Sequence, residues 1–189
     1  MRIISGTFRG KTLVAPEGSA TRPTSDRARQ AIFNILEHAA WSPGVRERRV
    51  IDLFAGSGAL GFEALSRGAA FCLFVETDAA ARGAIRDNVE AMAHFGRTRV
   101  HRRDATDLGA RPGADGPAFD LAFLDPPYAQ GLGETALAQL AAGNWLAPGA
   151  SVVFERGSGE PVFEVAGFTS VDVRDYGAAR VSFLKFEPT

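Results

Sequence analysis

From residue 50 onward the chain alternates between two hydrophobic periods. Val50–Phe54, Phe71–Glu76, Phe119–Leu124 and Ala150–Glu155 are short, largely apolar runs, and Thr98–Arg102 is read as a further strand within the same alternation. Runs of this kind are strands buried on both faces, as a parallel sheet requires. Between them, Ala59–Arg67, Asp78–Phe95 and Leu132–Ala142 carry helical spacing, and Gly68 ends the first of these helices. Strand–helix alternation predicts an α/β fold with a mostly parallel sheet covered on both sides. Past Glu155 the pattern shifts. Val162–Val165, Phe168–Arg174 and Arg180–Glu187 are strand-like with no long helix between them, and Tyr176-Gly177-Ala178 can turn the last two into an antiparallel hairpin.

The first 49 residues follow another plan. Residues 1–14 read as two short strands around a Gly-rich turn, and Pro16 to Pro23 as a loop. A helix then starts at Thr24 or Ser25, either of which can cap it, with Asp26 in its first turn. Ala28, Ala31, Ile32, Ile35, Leu36 and Ala39 form its apolar side, and Arg27, Arg29 and Gln30 are expected on the opposite side. Ser42-Pro43-Gly44 marks a boundary. The expected division is an extension over 1–44 and a main domain over 45–189.

Composition narrows the class. Hydrophobic residues make up 46% and charged residues 23%, as in a soluble globular protein. No apolar run is long enough to cross a bilayer, and MRIISGTFRGK lacks the apolar core of a signal peptide. The lone Cys72 lies in an apolar run, which excludes an intrachain disulfide and suggests a packing role. These features predict a cytoplasmic protein, expected to act as a monomer. The net charge of −1 hides an asymmetry: residues 1–49 hold nine Lys/Arg against four Asp/Glu, and the remainder twelve against eighteen. A basic segment on an acidic body suggests that one end meets a polyanion, although scattered arginines can equally solvate a surface.

Two motifs carry candidate chemistry. Asp52-Leu53-Phe54-Ala55-Gly56-Ser57-Gly58-Ala59-Leu60-Gly61 leaves a strand and enters a helix, and its glycines let the backbone approach a ligand closely. Glu76 ends the next strand, twenty residues after Gly56, where a carboxylate can accept from both ribose hydroxyls of a nucleoside. A dinucleotide and S-adenosylmethionine both suit this arrangement. The second motif, Asp125-Pro126-Pro127-Tyr128, follows the fourth strand. Asp125 and the Pro126 carbonyl can both accept from one –NH₂ group. Two acceptors holding its hydrogens can favour a pyramidal nitrogen, its lone pair aimed at an incoming methyl. Tyr128 offers a flat face on which a base can stack. Asp104-Ala105, after the third strand, is a weaker signal: an acid that can accept from an adenine amino group. No His/Cys cluster has metal-ligand spacing, so no metal is expected. His38, His94 and His101 are isolated and expected at the surface.

These motifs carry a family resemblance. DLFAGSGALGFEAL with Glu76, Asp104 and DPPY resembles the class I methyltransferases. ISGTFRGKTL and RPTSDRARQAIFNIL, added in order, resemble the bacterial 16S ribosomal RNA guanine-N2 methyltransferase family across nearly the whole chain. The resemblance implies a Rossmann-like α/β fold with a seven-stranded, mostly parallel sheet, an antiparallel C-terminal hairpin and a small N-terminal hairpin and helix. It implies S-adenosylmethionine as methyl donor, with Asp52, Phe54, Ala55, Gly56, Ser57, Gly58, Glu76, Asp104 and Ala105 at its site. It implies methylation of a guanine N2 in 16S rRNA, within a small-subunit particle, with Asp125, Pro126 and Tyr128 around the reacting amine. Arg2, Arg9, Lys11, Arg22, Arg27 and Arg29 are the expected RNA contacts. The region after Glu155 departs from the family pattern: it is short and lacks an obvious crossover helix. The rivals are a nicotinamide oxidoreductase, which leaves DPPY unexplained, a DNA adenine-N6 or protein glutamine-N5 methyltransferase, and a non-enzymatic RNA-binding module.

Overall fold

The computed structural model describes residues 1–18 and 24–189. Its elements are α1 (Asp26–His38), β1 (Arg49–Leu53), α2 (Ala59–Ser66), β2 (Phe71–Val75), α3 (Ala79–Ala91), β3 (Thr98–His101), β4 (Phe119–Leu124), α4 (Leu132–Ala142), β5 (Leu146–Gly157), β6 (Phe168–Tyr176) and β7 (Ala179–Phe186). The seven strands form one sheet in the order β3-β2-β1-β4-β5-β7-β6. β1 to β5 are parallel, and β7 runs antiparallel to both neighbours. The expected seven-stranded α/β sheet with its C-terminal hairpin is what the chain builds.

Alternation along the parallel strands sends side chains to two cores. Val50, Cys72, Phe74, Leu121 and Phe123 pack on one face with Ile32, Phe33 and Leu36 of α1, Phe62 and Leu65 of α2 and Ile85 of α3. Ile51, Leu53, Leu73, Val75, Ala122 and Leu124 pack on the other with Leu137 and Leu140 of α4 and Trp145. Cys72 is fully buried, in keeping with a packing role. β1 has β2 on one side and β4 on the other, so the chain reverses its direction across the sheet between them. Ligands collect beyond the carboxyl ends of strands at such a reversal.

Several local expectations need correction. The N-terminal segment forms a single antiparallel bridge, Arg2 to Thr12, rather than two strands. Four of its backbone donors, from Ile4, Ser5, Thr7 and Phe8, go to α2. Glu63 accepts from the N–H groups of Ile4 (2.9 Å) and Ser5 (3.0 Å), and Ser66 accepts from Thr7 and Phe8. Gly6, at φ +84°, lies flush on this helix, where an added Cβ would stand 1.9 Å from the Ser66 carbonyl oxygen. Residues 162–165 alternate as a strand would, yet no strand lies beside them. Phe163 and Val165 turn into the second core while Val162 is 93% exposed. The long helix expected to reach Phe95 ends at Ala91, and a 3₁₀ turn spans Phe95–Arg97. His94 there is buried rather than superficial, edge-on to the Phe8 ring. His101 is half-buried and lies 3.3 Å from Asp115, while His38 is exposed.

The largest correction concerns α1. Ser25 caps it, accepting from the Ala28 N–H at 3.1 Å. Arg29, expected to face outward, is 0% exposed. Its guanidinium donates to the Arg2 carbonyl and pairs with Asp26, and burial lowers its pKa. A buried charge persists only where it is paired and hydrogen-bonded, so Arg29 fastens α1 to the N-terminal segment and does not offer itself to a ligand.

Candidate functional site

The site begins where β1 ends. Phe54 has φ +56°, a left-handed conformation that is costly for a non-glycine residue. Gly56 (φ +56°) and Gly58 (φ +78°) follow, and the chain turns into α2. Asp52 braces this turn from beneath. It is buried, and its carboxylate accepts from the Gly61 N–H at 3.0 Å. Burial pushes its pKa well up, against the Gly61 hydrogen bond, with Asp125 and Glu76 adding like charge. An added Cβ at Gly58 would stand 2.7 Å from Phe62, whereas one at Gly56 would meet nothing within 4 Å. The two glycines therefore serve different ends. Gly58 permits tight packing of the turn, and Gly56 leaves open space above it.

Glu76 closes the side of this space. One oxygen accepts from the Gly56 N–H at 2.8 Å and the other from the Asp78 N–H at 2.9 Å. The carboxylate is thus fixed at the lip of the Gly-rich turn, as the spacing in the sequence suggests. Ala55 donates its N–H to the Val75 carbonyl, tying the turn to β2. Half-buried Ser57 lies near Met1, its hydroxyl 4.0 Å from the sulfur. Asp104 is exposed beyond β3 and accepts from the Thr106 N–H (2.8 Å) and hydroxyl (2.6 Å). Those bonds hold its carboxyl below the usual range, and buried Ala105 follows it.

Asp125 stands on the other side of the reversal, half-buried at the end of β4. Its pKa is pushed up to about 8, chiefly by burial, then by the charge of Glu155, with a Thr24 hydrogen bond opposing. Pro126 is buried and Tyr128 is partly exposed. Ala129, with φ +60°, turns the chain directly after the motif. Two left-handed non-glycine residues, Phe54 and Ala129, thus bound the two loops that face each other across the reversal.

Sequence reasoning missed two members of this group. Glu155, on β5, is buried and accepts from the Tyr128 hydroxyl at 2.6 Å and the Thr24 hydroxyl at 2.7 Å. The Thr24 oxygen also lies 3.5 Å from Asp125 Oδ2. A signal existed. Glu155 ends the run Ser151-Val152-Val153-Phe154 as Asp125 ends the run before it, and an acid closing an apolar strand is the same feature both times.

The expected RNA contacts are divided. Arg2, Arg9 and Arg27 are exposed. Lys11 is half-buried and donates to the Ala91 carbonyl. Arg29 is buried, and Arg22 lies outside the described residues.

The family described as conserved hypothetical protein 95 matches residues 1–185. The chain belongs to that family. Ribosomal RNA small subunit methyltransferase D of Haemophilus influenzae is 33% identical over 178 residues, which cover 94% of this chain and 89% of that one. The solved structure of yhhF from Escherichia coli superposes with a TM-score of 0.85 at 33% identity, over 100% of this chain and 99% of that one. At 15% identity the fold alone is shared with SMU.776, a structure complexed with SAH, at a TM-score of 0.61 over 83% of this chain and 49% of that one. The architecture is that of the class I methyltransferases.

Proposed function

We propose that this chain transfers a methyl group from S-adenosylmethionine to the exocyclic N2 amine of a guanine in 16S rRNA, presented within a small-subunit particle. The observation that carries the reading is the facing pair of loops at the sheet reversal: Gly56 and Glu76 on one side, Asp125-Pro126-Pro127-Tyr128 on the other. The name borne by the Haemophilus influenzae relative supports rRNA of the small subunit as the substrate.

The residues present suit the donor. A Cβ at Gly56 would meet nothing within 4 Å, so a ligand can approach the backbone there, and the fixed Glu76 carboxylate can accept from ribose hydroxyls. Phe54, Ala55, Ser57 and Gly58 would line the same turn, with Asp104 and Ala105 toward the adenine and Asp52 bracing from below. When bound, the sulfonium supplies an electrophilic methyl, so no covalent enzyme intermediate is needed. The protein contributes orientation and acceptors. Asp125 and the Pro126 carbonyl would hold the amine hydrogens and leave its lone pair free to attack. A carboxyl whose pKa stands near 8 is mostly protonated at neutral pH; its ionised form is the one that can take up the proton the methylated nitrogen gives up, and that form grows as pH rises. Tyr128 would carry the base on its ring. Arg2, Arg9, Lys11 and Arg27 would meet phosphates on an otherwise acidic body.

The decisive experiment incubates the protein with labelled S-adenosylmethionine and either unmodified small ribosomal subunits or free 16S rRNA. The methylated nucleoside is then identified by mass spectrometry. N2-methylguanosine from the subunits, lost with Asp125→Ala while donor affinity is kept, is the expected result. Label on an adenine, on protein or on nothing overturns the reading.

A further inference from the structure

We propose that Glu155 is a positioning residue of the transfer site, a single carboxylate that fixes the Tyr128 ring and the Thr24 hydroxyl around Asp125. The inference rests on the methyl-transfer reading above and assigns a role to a residue outside both sequence motifs.

Register brings Glu155 to this place. Leu124 of β4 pairs with Phe154 of β5 in parallel, so Asp125, just past the end of β4, lies beside Glu155, which is still within β5 and paired with Val181 of β7. Glu155 is 6% exposed, directly after the apolar stretch of β5, where an unpartnered carboxylate would be costly. Its two oxygens instead receive short hydrogen bonds from two hydroxyls distant in sequence: Tyr128 at 2.6 Å and Thr24 at 2.7 Å. The Thr24 hydroxyl in turn bridges toward Asp125 at 3.5 Å. Three segments thereby converge on one carboxylate: the lead-in to α1, the loop after β4 and β5 itself.

The effect on Tyr128 is specific. Its ring lies against Gly157, where an added Cβ would stand 3.4 Å from Cδ2, and its hydroxyl is tethered to Glu155. A ring held at both its face and its tip cannot swing away from the motif, so a base would stack on a platform already in place. A second brace ties the same loops together. Glu160 accepts from the N–H groups of Ala129 (3.0 Å) and Gly157 (2.8 Å), and Arg156 pairs with Glu134 at 2.9 Å. Glu160 holds the loops through their backbone, whereas Glu155 holds the ring by its hydroxyl.

The test compares Glu155→Gln, Tyr128→Phe and the double variant. Among the described residues, the ionisable groups facing Asp125 are Glu155 from β5, Tyr128 from its own loop and Asp52 from β1, with Glu76 of β2 beyond Asp52. Removing the Glu155 charge should let the acid limb of the kcat–pH profile move to lower pH while melting temperature and donor affinity stay near wild type. Turnover should fall by about ten- to a hundred-fold, the scale of one lost charge-assisted hydrogen bond. The double variant should be no worse than the poorer single, because both changes cut the same bond. A readout independent of activity accompanies these. The chain has two tyrosines, so 3-fluorotyrosine labelling gives two ¹⁹F lines, and Tyr128→Phe assigns them. In Glu155→Gln the Tyr128 line should shift and the Tyr176 line should not. Additive losses with an unmoved pH profile, a large drop in melting temperature or an unshifted Tyr128 line would each overturn the proposal. A wild-type protein that methylates no RNA would sink the methyl-transfer reading instead, and the ¹⁹F lines would still decide whether Glu155 holds the ring.

Discussion

Replacing Asp125 with Asn should stabilise the protein, and by an amount that depends on pH. The carboxyl moves from an ordinary value of 3.8 to about 8 on folding. An acid whose folded pKa is raised favours the native state most while it is protonated. Its contribution is therefore fully present below pH 3.8 and is lost as pH climbs through about 8. At about 1.36 kcal/mol per unit, the full span has a ceiling near 6 kcal/mol, and the solvent contact that Asp125 keeps reduces this to roughly 2–3 kcal/mol. Asn does not titrate and can still accept from the Thr24 hydroxyl. Its advantage over Asp should thus be smallest below about pH 4, grow through neutrality and level off by about pH 9. For a chain of this size that corresponds to a melting temperature raised by about 5–10 °C on the alkaline side. Calorimetric unfolding of both proteins across that range measures it. A gap that does not change with pH, or an Asn variant less stable than wild type at alkaline pH, would show that the site stores no such electrostatic cost.

Four further outcomes are expected. Glu76→Ala should weaken donor binding by roughly 1.5–3 kcal/mol, read by calorimetric titration, because buried ribose hydroxyls lose a charged acceptor; unchanged affinity would remove Glu76 from the site. Tyr128→Ala should weaken RNA capture by about 1–3 kcal/mol, and Tyr128→Phe by less because the ring face survives; equal losses in a filter-binding assay would rule out stacking. Reversing Arg2, Arg9 and Arg27 to Glu should flatten the plot of log RNA affinity against log salt by about 0.7 units for each phosphate of single-stranded RNA no longer neutralised. Donor affinity and melting temperature should hold, and an unchanged slope would show that these arginines only solvate the surface. Gly6→Ala should destabilise the fold by more than about 1 kcal/mol, since its left-handed φ and its closeness to the Ser66 carbonyl both oppose a Cβ; a melting temperature equal to wild type would contradict the packing of the N-terminal segment on α2.

How much of this is legible in the sequence depends on whether a residue's neighbours are local. Four of the five parallel strands are apolar runs, readable because burial on both faces leaves few polar positions within them; the edge strand β3 is not, and only the alternation of elements marks it. Asp52 stands out because it interrupts such a run, and Glu76 and Asp125 because each lies at or beyond the end of one, in or next to a motif. Glu155 closes a run too, but with no motif after it an acid there reads only as the end of a strand. Its meaning comes from Tyr128 and Thr24, 27 and 131 residues away, and from a register that pattern alone does not supply. Residues 162–165 fail for the converse reason. Their alternation is genuine, but a strand needs a partner, and they have a core to plug instead.

Arg29 shows a different failure, in which residue type overrides spacing. It lies three residues before Ile32 and seven before Leu36, squarely on the apolar side of α1, and the helix buries it accordingly. Its charge suggests an outward face, yet the structure spends that charge on Asp26 and the Arg2 carbonyl. The consequence bears on function. Arg29 locks α1 to the N-terminal segment, and Thr24, just ahead of the helix, reaches Glu155 and Asp125. The basic extension is thus part of the site's wall as well as a candidate surface for RNA. Arg27 is exposed three residues from Thr24, so an exposed positive charge and the hydroxyl beside Asp125 belong to one short stretch of chain.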